Sequence, residues 1–193
     1  MVRVIAGIAR GRKIKTLDSE DTKPTLDRVK EAMFSMLTPY VAGAKVLDLF
    51  SGNGSLGIEA LSRGAEYCFM NDRSPACVKL IRENLTVLGF GDKAETVCDD
   101  FSAAIGLASK KPFKYDLILM DPPYRCGLIG KALTLKQTQR LARREGEDGM
   151  RATVALCEHG ADEELAVRYG GFVKMRSKKY GTVGVTLYEF QGE

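Results

Sequence analysis

Tryptophan is absent from this 193-residue chain, and histidine occurs once, at His159. Histidine-based acid–base or nucleophilic catalysis therefore has little to draw on. The five cysteines, at 68, 77, 98, 126 and 157, form no Cys-x-x-Cys pair, so no metal site is expected. Cys68, Cys98 and Cys157 fall within predicted strands, where thiols in a reducing compartment act as small apolar residues. None has a general base in the sequence that would make it a nucleophile. No apolar run approaches the ~20 residues of a membrane span, and the opening residues, charged at Arg3 and Arg10, lack a secretory layout. The expectation is a cytoplasmic protein with no membrane partner. The length suits a single domain over 1–193. It is too short for a dinucleotide domain plus a separate catalytic one, which counts against a dehydrogenase.

What is present is an alternation of strand and helix patterns. Strands are predicted near 44–50, 66–71, 94–98, 115–120, 152–157, 171–179 and 183–190, and helices near 26–37, 56–63, 75–88, 100–108, 127–144 and 162–168. This order implies an α/β fold: a mostly parallel seven-stranded sheet with helices on both faces. The short Tyr180-Gly181-Thr182 connection makes the last two strands an antiparallel edge hairpin. Loops are expected at 18–23 and 145–150.

Two motifs sit at predicted strand ends. Val46-Leu47-Asp48-Leu49-Phe50 leads into Ser51-Gly52-Asn53-Gly54-Ser55-Leu56-Gly57 and then a helix. The glycines permit a tight turn and close approach to a ligand, and Asp72, twenty residues beyond Gly52, stands where an acid holds ribose hydroxyls. Read literally this is a dinucleotide fingerprint, but Asp48 places a carboxylate just before the glycines and repels a pyrophosphate. It suits instead the cationic amino-acid part of S-adenosylmethionine, met directly or through water. The second motif, Asp121-Pro122-Pro123-Tyr124, follows Leu117-Ile118-Leu119-Met120. Its prolines stiffen the turn, its acid and the Pro122 carbonyl can accept the hydrogens of a planar NH2, and its ring offers a stacking face.

Together these segments, from Asp48 to Ala65 and from Asp121 to Tyr124, resemble the bacterial small-subunit ribosomal RNA guanine-N2 methyltransferases. Arg3-Val4-Ile5-Ala6-Gly7, Arg10-Gly11-Arg12-Lys13 and Pro24 to Phe34 are similar to that family's opening, and Tyr180-Gly181 and Leu187-Tyr188 fit its tail. The resemblance implies the Rossmann-like class I methyltransferase fold and an S-adenosylmethionine cofactor held by Asp48, Phe50, Gly52, Asn53, Gly54, Asp72, Arg73, Asp99, Asp100 and Thr25. Asp121, Pro122, Pro123 and Tyr124 would carry the chemistry, with no metal. The family commonly has Glu where this chain has Asp72, and one acid where it has Asp99-Asp100; Asp100 is the favoured adenine N6 acceptor. An adenine-N6 methyltransferase and an inactive nucleic-acid-binding module of the same fold are the alternatives.

The net charge of +4 matters less than its distribution. Residues 1–15 carry Arg3, Arg10, Arg12, Lys13 and Lys15 without an acid. With the following helix, 1–37 reads as a basic phosphate-tracking arm. Thr25 is a candidate N-cap for that helix, and Arg28 a further RNA contact. Lys174, Arg176, Lys178 and Lys179 form a second basic cluster. Arg140, Arg143 and Arg144, on the predicted 127–144 helix, form a third. The expected partner is 16S rRNA in a small subunit or assembly intermediate, engaged by a monomer.

Overall fold

A computed structural model describes residues 2–17 and 25–192. The 18–23 loop and the side chain of Thr25 lie outside the described residues. In chain order the elements are β1 (Val2–Arg3), β2 (Lys13–Ile14), α1 (Thr25–Val41), β3 (Lys45–Asp48), α2 (Ser55–Ser62), β4 (Tyr67–Asn71), α3 (Pro75–Leu88), β5 (Ala94–Val97), α4 (Phe101–Ala108), β6 (Leu117–Met120), α5 (Leu128–Thr134), α6 (Lys136–Leu141), β7 (Val154–Gly160), β8 (Arg168–Tyr169), β9 (Phe172–Tyr180) and β10 (Val183–Phe190). The main sheet runs β5-β4-β3-β6-β7-β10-β9-β8. Its pairs from β5 to β7 are parallel, and β10 joins β7 and β9 antiparallel. The order reverses between β3 and β6, and an open α/β sheet binds its ligands at that switch point. Among the described residues no helix is long and apolar enough to cross a membrane.

The central strands are apolar on both sides because both are covered. One core packs Met33, Phe34, Leu37, Ile58 and Ile81 of α1 to α3 under Val46, Met70, Leu119 and Leu156. The other packs Ile105, Ile129 and Leu133 against Leu47, Phe69, Ile118 and Tyr188. The doubly covered, mostly parallel sheet and its antiparallel hairpin agree with the sequence reading. The sheet has eight strands rather than seven, because the two-residue β8 adds an edge beside β9.

Other expectations are corrected. No helix forms over 162–168, despite its Glu, Leu and Ala. Its polar groups are claimed by distant partners: the Glu163 carboxylate accepts from the N–H groups of Gly160 and Arg125, Tyr188 Oη donates to the Ala166 carbonyl, and Ala166 N donates to Tyr169 Oη. The single helix expected over 127–144 is broken at Leu135, which is extended (φ −60°, ψ 134°). Thr138 Oγ1 and Gln139 Nε2 fold back onto the carbonyls of Ala132 and Leu133. Arg143, assigned from sequence to a basic cluster on that helix, is instead buried; it donates to Asp116 Oδ1 at 2.6 Å and to the Lys114 carbonyl at 2.8 Å. Cys68 and Cys157 are buried in strands as expected, whereas Cys98 is exposed just past β5. α1 continues through Pro39 to Val41, four residues past its expected end.

The basic N-terminal segment is folded onto the domain. β1 and β2 pair with each other, and Glu59 of α2, wholly buried, accepts from the N–H groups of Ile5 (2.8 Å) and Ala6 (3.0 Å). The same carboxylate faces Arg63 Nε at 2.7 Å and Lys30 Nζ at 3.6 Å. Gly7 (φ +83°) has to be glycine, since a Cβ there would lie 1.8 Å from the Ser62 carbonyl oxygen.

Candidate active site

The apolar run of β3 ends at Asp48, and the turn that follows is opened by Gly52 (φ +53°) and Gly54 (φ +83°). Gly54 is the N-cap of α2 and has no side chain to cap it. Asp48, wholly buried, replaces that cap by accepting the Gly57 N–H on Oδ2 at 3.0 Å. A Cβ on Gly57 would meet Met70, Cys68 and this carboxylate at 2.7–3.0 Å. Asp48 Oδ1 has no partner among the described residues. Burial pushes its carboxyl up to about 7, against the lowering pull of the Gly57 N–H.

A cavity of about 590 Å³ opens at the carboxyl ends of β3 to β6. Phe50, Gly52, Asn53, Asp72, Arg73, Asp99, Asp100, Asp121, Pro122 and Pro123 all line it. Asp48 and Gly54 are buried and do not line it. Asp72 shapes the loop from the next strand: Oδ2 accepts the Gly52 N–H at 2.9 Å and Oδ1 the Ser74 N–H at 2.8 Å. Each oxygen keeps a lone pair for a hydroxyl. Asp100 is the N-cap of α4, with Oδ1 accepting from Ser102 N and Oγ, bonds that hold its carboxyl below the usual range. Asp99 Oδ1 accepts the Asp100 N–H. Both acids line the cavity.

On the other side of the switch point, Asp121 lines the cavity with its surface open to solvent there, while protein packs around its carboxyl. Burial raises its carboxyl well above the usual range, and the neighbouring Glu158 and Asp48 carboxylates raise it further. Tyr124 lies outside the larger cavity, in an adjoining one of about 190 Å³ that shares Pro122, Pro123 and Leu128. Its Oη donates to Glu158 Oε1 at 2.6 Å.

Sequence reasoning missed several members of this site. Phe101 lines the cavity beside Phe50, with ring centroids 5.9 Å apart. Asn71, buried at the end of β4, ties three strand ends together by donating to the Leu49 carbonyl and accepting the Asp99 N–H. Glu158 is hidden within the apolar sequence of β7. Its signal was positional: an acid at the carboxyl end of the strand beside β6. The basic residues assigned to RNA do not enter the cavity. Arg3 pairs with Asp27, Lys15 with Glu83, and Arg12 donates to the Val87 carbonyl. Arg10, Lys13 and Arg28 are exposed and have no hydrogen-bond or ion-pair partner among the described residues.

The chain as a whole finds counterparts among known proteins, in sequence and in fold. The Bacillus subtilis protein YlbH is 37% identical over 191 residues, covering 99% of this chain and 100% of its own. The Escherichia coli protein named ribosomal RNA small subunit methyltransferase D is 33% identical over 196 residues, covering 100% of this chain and 92% of its own. Among solved structures, the E. coli protein yhhF superposes with a TM-score of 0.76 at 30% identity, covering 100% of this chain and 99% of that one. The family model described as conserved hypothetical protein 95 matches residues 2–189, and with these full-length relatives it shows that the chain belongs to that family.

Proposed function

We propose that this chain is an S-adenosylmethionine-dependent methyltransferase that modifies the exocyclic N2 of a guanine in 16S rRNA. The observation that carries this reading is the meeting, at one cavity, of two carboxylates from different turns: Asp72 beside the glycine turn, and Asp121 at the Pro-Pro turn beyond β6. The relatives' full-length coverage and the E. coli protein's name, ribosomal RNA small subunit methyltransferase D, support the rRNA substrate class.

The residues fit the cofactor. Asp72 would hold the ribose hydroxyls, Phe50 and Phe101 the adenine faces, and Asp99 or Asp100 its amino group. The unpartnered Asp48 Oδ1 supplies negative charge beneath the wall for a cationic amino group bridged by water. When bound, the cofactor supplies an activated methyl group on sulfur. Asp121 and the Pro122 carbonyl orient the target amine by accepting its hydrogens, and Tyr124 holds the face of a base turned out of its stack. Methylation at N2, with the sulfur leaving as a neutral thioether, would oblige that nitrogen to shed a proton. Asp121, held basic by burial and two like charges, is suited to receive it. Rate enhancement then comes from positioning and fixed electrostatics.

The substrate form is 16S rRNA in a protein-bound intermediate or small subunit, met by a cytoplasmic monomer through the exposed basic face of the N-terminal segment. The test is labelled cofactor with rRNA from a strain lacking this protein, followed by nucleoside analysis. N2-methylguanosine is expected; label found only as N6-methyladenine overturns the base assignment, and transfer to duplex DNA alone overturns the RNA one. Asp121→Ala should abolish turnover while leaving S-adenosylhomocysteine affinity within a few-fold.

A further inference from the structure

Resting on the guanine-N2 reading, we infer that Glu158 is the specificity residue of the site, telling guanine from other purines by accepting a hydrogen bond from the ring N1–H. In the sheet, Met120 of β6 pairs with Cys157 of β7, so Asp121 and Glu158 follow as neighbours at the ends of adjacent parallel strands. Glu158 is 7% exposed and lines the 190 Å³ cavity beside Tyr124. That space is below the ~300 Å³ at which ligand pockets usually begin, so it suits one planar base rather than a cofactor.

Among the described carboxylate and imidazole groups lining this cavity, one acceptor is uncommitted. His159 has both ring nitrogens engaged, with the Gly160 carbonyl and Thr186 Oγ1, each at 2.9 Å. Glu163 spends one oxygen on the Gly160 N–H and the other on the Arg125 N–H. Glu158 Oε1 accepts from Tyr124 Oη, while Oε2 has no donor among the described residues. A guanine presents two donors on adjacent atoms of one edge, the N2 amino group and N1–H. Two neighbouring carboxylates match that edge, Asp121 toward N2 and Glu158 toward N1. Adenine and 2-aminopurine each carry an amino group beside an unprotonated N1. There the Oε2 lone pairs would face another acceptor, and a site built to bond a donor rejects the analogue that lacks it.

The test uses 2-aminopurine, which keeps the 2-amino nucleophile and removes N1–H, placed by ligation at the target position of the rRNA. Single-turnover rates on guanine and 2-aminopurine substrates are compared for wild type, Glu158→Gln and Tyr124→Phe. Wild type should prefer guanine at least tenfold. Glu158→Gln can turn its amide to donate to N1, and its ratio should fall to within about threefold of unity. Tyr124→Phe, which keeps the carboxylate, should retain the preference. An unchanged ratio in Glu158→Gln, or no preference in wild type, overturns the inference while leaving guanine methylation standing. If Glu158→Gln does not fold, as judged by S-adenosylhomocysteine binding, Glu158→Asp replaces it and should lose most of the preference; a retained preference overturns the inference. No methylation of guanine by wild type overturns the underlying reading instead.

Discussion

Replacing Asp48 by asparagine keeps an oxygen for the Gly57 N–H and removes a buried charge. In the folded protein this carboxyl is pushed up to about 7, whereas in the unfolded chain it titrates near 3.9. Between about pH 4 and pH 7 the folded state therefore holds a proton that the unfolded state has released, and stability falls as pH rises through that window. At 1.36 kcal/mol per pH unit, the loss is roughly 4 kcal/mol by pH 7. It is a large part of the ~5–15 kcal/mol that holds a domain folded. The amide of the variant does not titrate, so the stability difference between Asp48→Asn and wild type should grow from near zero at pH 4 to a gain of a few kcal/mol at pH 8. Urea unfolding at closely spaced pH values measures this directly. The mutant should also bind S-adenosylmethionine more weakly, because the unpartnered Oδ1 charge is gone. A pH-independent difference between the two proteins would refute the assignment of a strained, functional carboxylate.

Glu59→Ala leaves Lys30, 5% exposed, without its buried counter-charge and strips two backbone donors of their acceptor; the expected loss is about 3–5 kcal/mol, and a loss under ~1 kcal/mol in urea would show that Glu59 does not hold the arm. Asp72→Ala removes both the turn contacts and a charge-assisted ribose bond, and should weaken S-adenosylhomocysteine by roughly 1.5–3 kcal/mol in calorimetry; unchanged affinity would take Asp72 out of the site. Arg10→Ala with Lys13→Ala should lower the salt slope of rRNA binding by roughly 0.7–0.9 for each phosphate no longer neutralised, leaving cofactor affinity alone; an unaltered slope would place the RNA elsewhere.

The strand–turn–helix units were legible because each couples an apolar run to glycine or proline punctuation, and that punctuation also marked both ligand-facing turns. The segments misread share a different feature. At 162–168 helix-forming residues lost to tertiary partners such as Tyr188 and Tyr169. At Leu135 the break carries no glycine or proline and is fixed by side chains folding back from Thr138 and Gln139. Charge counting found the basic run but not its use: Arg143 reads like its neighbours until Asp116, 27 residues away, is brought beside it. Glu158 was hidden for the same reason, since its distance from Tyr124 is 34 residues in sequence and one hydrogen bond in space.

Asn84, 3% exposed on α3, gives its Nδ2 to the carbonyls of both Lys15 and Asn53 and accepts the Lys15 N–H on Oδ1. One amide thereby clamps the basic segment to the glycine turn, while Glu59 fixes the other end of that segment to the helix the turn opens. The charged face and the cavity are thus tied together by hydrogen bonds, and under the proposed function they would work as a caliper: with Arg10 and Lys13 on a phosphate, the distance to the nucleotide that can enter the cavity would already be set. On that reading the enzyme would choose its nucleotide by where a folded RNA sets it relative to the grip, with little need to read the bases between.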